Sequence, residues 1–341
     1  MPEVGETTLP TGAADGRAPA PWLRALLGSL SPAGRRARLS ILIFHRVRAE
    51  PDPLFPNEMH AAAFAERMHC VRHWCNVLPL DDAVSALARG TLPARALAIS
   101  FDDGYADNAT VALPILRRIG LPATFFVATG FLDGGRMWND TVIETVRAAR
   151  GAEIDLARQG FGRHPVGSPT ERRAAIGAIL AQLKYLPQPE RQSRVDAIAA
   201  EAATVPPRDL MMTHDQLRSI AAAGMGIGAH TVSHPILARL DDAAARREIA
   251  DGRDALVAIV RAPVRLFAYP NGRPNVDYTT RHVDMARELG FAAAVSTAAG
   301  AARVGASLYE LPRFTPWDRS PVRWGMRLAR NLMTKIEIAA T

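Results

Sequence analysis

Leu97-Ala98-Ile99-Ser100-Phe101-Asp102-Asp103-Gly104-Tyr105 is the stretch on which the fold turns. Its first five residues read as a buried β-strand, and Gly104 ends the strand with a residue free to take backbone angles that others avoid. Two adjacent carboxylates therefore stand where a buried strand stops, which is where parallel α/β sheets keep their chemistry. Much further along, His230-Thr231-Val232-Ser233-His234 occupies the same kind of place, directly after the apolar segment Met225 to Ala229. Two imidazoles and a carboxylate form the donor set of a catalytic zinc site that keeps one position free.

Outward from these two motifs, apolar runs alternate with helical patterns. Strands are expected over Leu39 to His45, Val77 to Leu80, Leu97 to Phe101, Ala123 to Ala128, Gly226 to Ala229, Val264 to Tyr269 and Ala292 to Ser296. Helices are expected from about Ala61, over Asp81 to Arg89, from a cap at Asp107 to Ile119 with a kink at Pro114, and over Thr213 to Ala223, Asp241 to Val260 and Val276 to Leu289. Such alternation means parallel βα units, and roughly seven strands come close to a barrel's complement. Residues 1–38 are expected to be a flexible N-terminal segment, residues 39–320 the barrel, and residues 321–341 a basic amphipathic tail. Between about 137 and 205 the pattern turns helical and alanine-rich, with a loop at Arg163 to Pro169, which predicts a helical insertion.

Composition bounds the function. With 341 residues, 48% hydrophobic content and 22% charge, the chain builds a packed core, and disorder over most of its length is excluded. The net charge of +7 comes almost entirely from arginines spread along the chain, so the basicity is read as compositional rather than as a nucleic-acid surface. No segment has the ~20 apolar residues of a membrane span. Met1 to Pro21 lacks the basic start and apolar stretch of a secretory leader, so a cytoplasmic location, or one at the inner membrane face, is expected. Trp324 to Lys335 shows an apolar face beside Arg323, Arg327 and Arg330; it reads as a docked terminal helix or as a weak peripheral membrane contact.

Two alternative sites are set aside. Cys70 and Cys75, in His69-Cys70-Val71-Arg72-His73-Trp74-Cys75, fit no zinc spacing and read as buried thiols on a helix. Gly224, Gly226 and Gly228 precede a strand instead of joining strand to helix, so they are no dinucleotide loop.

Ser100-Phe101-Asp102-Asp103-Gly104, His230-Thr231-Val232-Ser233-His234 and Arg265-Leu266-Phe267-Ala268-Tyr269-Pro270 together resemble, in order, the first three motifs of the polysaccharide deacetylase family, the NodB homology domain. The resemblance spans roughly Leu39 to Arg313. It implies a distorted (β/α) barrel of about seven strands and a hydrolase that removes acetyl groups from N-acetylated sugars, in a polysaccharide, an oligosaccharide or a lipid-linked precursor. Carried over by position, it implies that Asp103, His230 and His234 hold a divalent metal, zinc by preference, that Asp102 is the general base, and that Arg265 orients that base.

The family's late Leu-x-His motif is missing, since the corresponding region reads Leu311-Pro312-Arg313-Phe314. Leu42-Ile43-Phe44-His45-Arg46-Val47 instead resembles the early histidine motif of the poly-N-acetylglucosamine deacetylase branch, which makes His45 the expected general acid, with His60 and His282 behind it. Tyr105, Tyr269 and Trp138 are expected to line the sugar site, because aromatic faces suit the apolar side of a pyranose ring. Two other readings stay open at this point: an amide or imide hydrolase with a non-sugar substrate, and a non-catalytic glycan-binding module.

Overall fold

The structure is a computed structural model that describes residues 20–316 and 318–340. Its strands are β1 (Arg38–Phe44), β2 (Asn76–Val77), β3 (Ala96–Phe101), β4 (Thr124–Val127), β5 (Glu153–Leu156), β6 (Gly162–Pro165), β7 (Gly226–Ala229), β8 (Leu266–Ala268), β9 (Ala293–Val295) and β10 (Ala302–Arg303). The first helices are α1 (Pro21–Leu30), α2 (Ala61–Trp74), α3 (Leu80–Arg89) and α4 (Leu113–Ile119). The insertion carries α5 (Trp138–Ala148), α6 (Pro169–Leu183) and α7 (Gln188–Glu201). Then follow α8 (His214–Ala222), α9 (Asp242–Val260), α10 (Thr280–Glu288) and α11 (Pro321–Asn331).

The main sheet runs β10-β1-β3-β4-β7-β8-β9, with β2 also paired to β3. All its pairings are parallel except that of β10 with β1. Short as they are, the strands close into a distorted (β/α) barrel, because the segment 311–314 bridges the remaining gap. Leu311 pairs with Val295 on one side and Phe314 with Leu42 on the other.

Strand alternation sorts the side chains into two cores. Leu39, Ile41, Ala98, Phe126, Leu266, Ala268 and Val295 fill one, with Leu80, Val84 and Leu87 of α3 packed on them. Leu42, Phe44, Ile99, Phe101, Phe125, Phe267 and Tyr269 join the other, beneath the outer helices. That parity decides where each motif residue points.

Several expectations need correction. The N-terminal segment holds α1, whose Leu23 and Leu27 are buried, and runs on through buried Ser31 and Ala37 into β1 at Arg38; of the expected flexible stretch only residues 1–19 lie outside the described residues. Inside the insertion, residues 153–165 form a two-stranded antiparallel hairpin, not a loop, and its Ile154, Leu156 and Phe161 share an apolar cluster with α5, α6 and α7. The side chain of Asp107 does not cap a helix, because it is taken by Arg46 Nε at 2.8 Å and by the Val47 amide at 3.2 Å. The helix expected from Val276 begins at Thr280.

The apolar face of α11 is turned inward. Trp324 is fully buried, 6.4 Å from Trp74 between ring centroids, and α11 packs on α1. No described helix is long and apolar enough to cross a membrane.

Candidate active site

Asp102 follows β3 directly, and its parity places it with Ala98 and Ser100 on the barrel side of the sheet. Its amide donates to the Phe44 carbonyl at 2.9 Å, which holds the turn against β1. Asp103 then takes a left-handed backbone (φ 76°), and Gly104 continues it at φ 92°. A Cβ on Gly104 would meet Val127 Cγ1 at 2.9 Å, so the residue is required by contact as well as by angle. This sharp reversal is what allows neighbouring carboxylates to face one cavity.

The second motif is held more elaborately. Thr231 and His234 also have left-handed backbones, φ 65° and 52°, and for a β-branched threonine that conformation is a true outlier. Glu248 of α9 grips the loop, accepting the amides of Val232 (3.0 Å) and Ser233 (2.9 Å) and the Ser233 hydroxyl (2.6 Å). The His234 amide donates to Thr231 Oγ1 at 3.1 Å. Gly252 lets α9 come this close, since a Cβ there would lie 2.7 Å from the Thr231 carbonyl carbon. Strain of about 1–3 kcal/mol per such residue persists only where the surroundings over-determine it.

The outcome is a convergence of donors. Asp103 Oδ1 stands 3.5 Å from His230 Nε2 and 3.4 Å from His234 Nε2, and it is buried with no hydrogen-bond partner. His230 Nδ1 lies 2.8 Å from the Ala268 carbonyl; because a carbonyl only accepts, Nδ1 carries a proton, and in the neutral ring Nε2 is the nitrogen left to ligate. Ligand atoms about 2.0–2.1 Å from a tetrahedral zinc are roughly 3.3–3.4 Å apart, so the spacing fits that ion. Among the described residues, Asp103, His230 and His234 are the one cluster of this kind.

Electrostatics separates the two carboxylates and the two imidazoles. Burial works to raise the pKa of Asp102, but the Arg313 guanidinium outweighs it and holds the carboxyl below its ordinary range. Burial acts likewise on Asp103, where the imidazoles opposite drive the value well down. Burial would lower His230, yet the facing Asp102 and Asp103 raise it. For His234 burial prevails and pushes the pKa down to about 4, which keeps the ring neutral and able to ligate.

Arg265, expected to orient Asp102, does not reach it. It precedes β8, at the strand end remote from the carboxylates, and shares the outward parity of Phe267 and Tyr269. Its side chain is 59% exposed, with Nε 3.4 Å from Asp81 on α3. Asp102 is held instead by Arg313, which sits on the closing segment 311–314 and is fully buried. Nη1 and Nη2 reach the two oxygens of Asp102 at 2.6 and 2.7 Å, while Nε donates to the Ser296 carbonyl and Nη1 also to Ser100 Oγ.

Two of the aromatics expected in the sugar site are also elsewhere. Tyr269 is fully buried in the outer core, stacked on Tyr278 at 4.0 Å, with its hydroxyl donating to the Tyr309 carbonyl. Tyr105 is buried under Arg46 and donates to Asp140 Oδ1 at 3.2 Å. Trp138, at the start of α5, does line the cavity, a volume of about 480 Å³ bounded also by His45, Asp102, Asp103, His230 and His234.

His45 is exposed and lines both that cavity and an adjoining groove along Pro51 to Arg67 and Thr315 to Arg319. His282 is buried between Thr279 and the Leu237 carbonyl, away from this cavity, and His60 lines the groove alone.

Comparison with known proteins agrees with this geometry. The model of the polysaccharide deacetylase family matches residues 89–173 and 193–294, more than half of the chain. YxkH of Bacillus subtilis (strain 168), whose name places it among the polysaccharide deacetylases, is 21% identical over 278 residues, covering 81% of this chain and 71% of its own. In fold, the chain is similar to the Streptococcus pyogenes deacetylase PplD, solved in complex with acetate (TM-score 0.56, 19% identity, 87% of this chain and 98% of that one). It is similar also to IcaB from Ammonifex degensii (TM-score 0.54, 19% identity, 89% and 99%). The chain belongs to the polysaccharide deacetylase family, and is accordingly a hydrolytic N-deacetylase.

Proposed function

We propose that this protein is a zinc-dependent N-deacetylase that removes acetyl groups from an amino-sugar polysaccharide, oligosaccharide or lipid-linked precursor. The observation that carries the reading is the meeting of Asp103, His230 and His234 beside a carboxylate, Asp102, that an arginine holds ionised. A zinc ion held by those three residues would polarise the acetamide carbonyl and lower the pKa of water to ~7. Asp102, its two oxygens fixed by Arg313 and one of them 3.9 Å from His230 Nε2, takes the proton of the attacking water. His45, at the cavity's edge, hands a proton to the departing amine, for which an imidazole is suited near neutral pH. Trp138 offers its ring to the sugar.

Acetate release from acetylated chito-oligosaccharides tests the reading. Chelation should abolish release and one equivalent of zinc should restore it; release that persists in chelated, metal-free protein contradicts the proposal.

A further inference from the structure

The catalytic cavity has a wall that the barrel does not build. α5, α6 and α7 bring Trp138, Lys184 and Arg191 to it, beside the carboxylate and imidazoles. Arg191 is only 7% exposed. Its guanidinium lies 4.9 Å from the Trp138 ring centroid, and Nη1 donates to the Lys184 carbonyl at 3.4 Å. The other buried arginines each hold a carboxylate, Arg67 that of Glu66 and Arg313 that of Asp102. Among the described residues Arg191 has none within 4.0 Å, and neither has Lys184, which Asp277 feels only at longer range. Lys184 Nζ and Arg239 both lie 5.6 Å from the ring of Tyr185, so a further cation adjoins this wall.

A buried guanidinium without a counter-charge is costly, and burial here pulls the pKa of Arg191 down. Packing on Trp138 accounts for where the guanidinium lies but not for its missing anion. An oxyanion entering the cavity would supply that partner, and a guanidinium fork beside an ammonium is suited to carboxylate or phosphate oxygens.

We propose that Lys184 and Arg191 form an anion subsite, so that a sugar whose acetamide reaches Asp103, His230 and His234 presents a carboxylate or phosphate group to these two cations. The substrate part of this inference rests on the N-deacetylase reading; anion binding does not.

Calorimetric titration of metal-stripped protein at fixed ionic strength, with inorganic pyrophosphate in one arm and glucuronate in the other, tests the subsite and tells the two sources apart. Wild type should bind one of them saturably, and Arg191→Gln and Lys184→Gln should each weaken that binding tenfold or more. If Arg191→Gln does not fold, the half-buried Lys184→Gln decides alone. Absence of saturable binding of either anion, or equal affinity in wild type and the folded variants, overturns the proposal. With zinc restored, KM should be at least tenfold lower for an acetylated sugar carrying the preferred anion than for a neutral chito-oligosaccharide, and Lys184→Gln should remove that difference. Equal KM values for the two substrates in the wild type contradict the substrate assignment. Anion binding without acetate release from any substrate supports the subsite and removes the N-deacetylase reading.

Discussion

Arg313 grips Asp102 by both carboxylate oxygens, Nη1 on Oδ1 at 2.6 Å and Nη2 on Oδ2 at 2.7 Å, with both side chains withdrawn from solvent. The arginine belongs to the segment that closes the barrel between β9 and β1, so the same segment that closes the fold also holds Asp102. Arg313→Lys keeps a charge but loses the fork, and turnover should fall about 10–100-fold with zinc still bound. Arg313→Ala leaves an uncompensated buried carboxylate and should cost about 3–5 kcal/mol in urea unfolding.

Arg265 provides the contrast. Its pairing with Asp81 is half exposed and far from the chemistry, so Arg265→Ala should change stability by less than about 1 kcal/mol and leave acetate release intact. Parallel urea melts and turnover assays of the two arginine variants check both statements.

Glu248 touches no reacting atom, yet it fixes the loop from which His234 projects. Glu248→Ala frees three donors and lets that strained loop relax. Zinc affinity, read by competition with a chelating dye, should fall about 10–100-fold, while the fold persists by circular dichroism.

The motifs that lie within one stretch of chain were legible in the sequence. Asp102-Asp103-Gly104 and His230 to His234 each follow an apolar run, and both fall at strand ends. Arg313 was not, because its role depends on 311–314 bridging β9 and β1, two strands that the sequence gives no reason to place side by side across a gap. Pro312 and single-residue bridges leave that segment without strand periodicity. Tyr269 shows a different failure: being near a motif says nothing of which face the side chain takes, and the parity it shares with Phe267 sends it into the outer core. The hairpin at 153–165 did carry a signal, the buried-exposed alternation of Glu153-Ile154-Asp155-Leu156 and the turn glycines Gly160 and Gly162, obscured by the alanine-rich helices around it.

Asp140 ties pH to stability. Burial, against the opposing charge of Arg46, pushes its pKa up to about 7, above the ~3.9 of an unfolded chain. Below about pH 4 both states keep the proton and nothing is lost. As pH rises from there to about 7 the unfolded state ionises first, so stability falls, by up to about 4 kcal/mol, and then levels off. Asp140→Asn keeps an acceptor for Tyr105 and removes the titration. The Tm of this variant relative to wild type, both in chelator, should therefore be higher at pH 8 than at pH 5; a constant difference would show that Asp140 does not titrate in this window.

The division of labour proposed for the adjacent carboxylates is the centre of the account, with Asp103 as metal ligand and Asp102 as the group that moves the proton. Asp102→Asn tests it most directly, with zinc content and acetate release measured on the same preparation. The account predicts one zinc per chain, as in wild type, with release reduced by about 10²–10⁴-fold. Full turnover by the zinc-loaded variant, or loss of zinc together with activity, would contradict it.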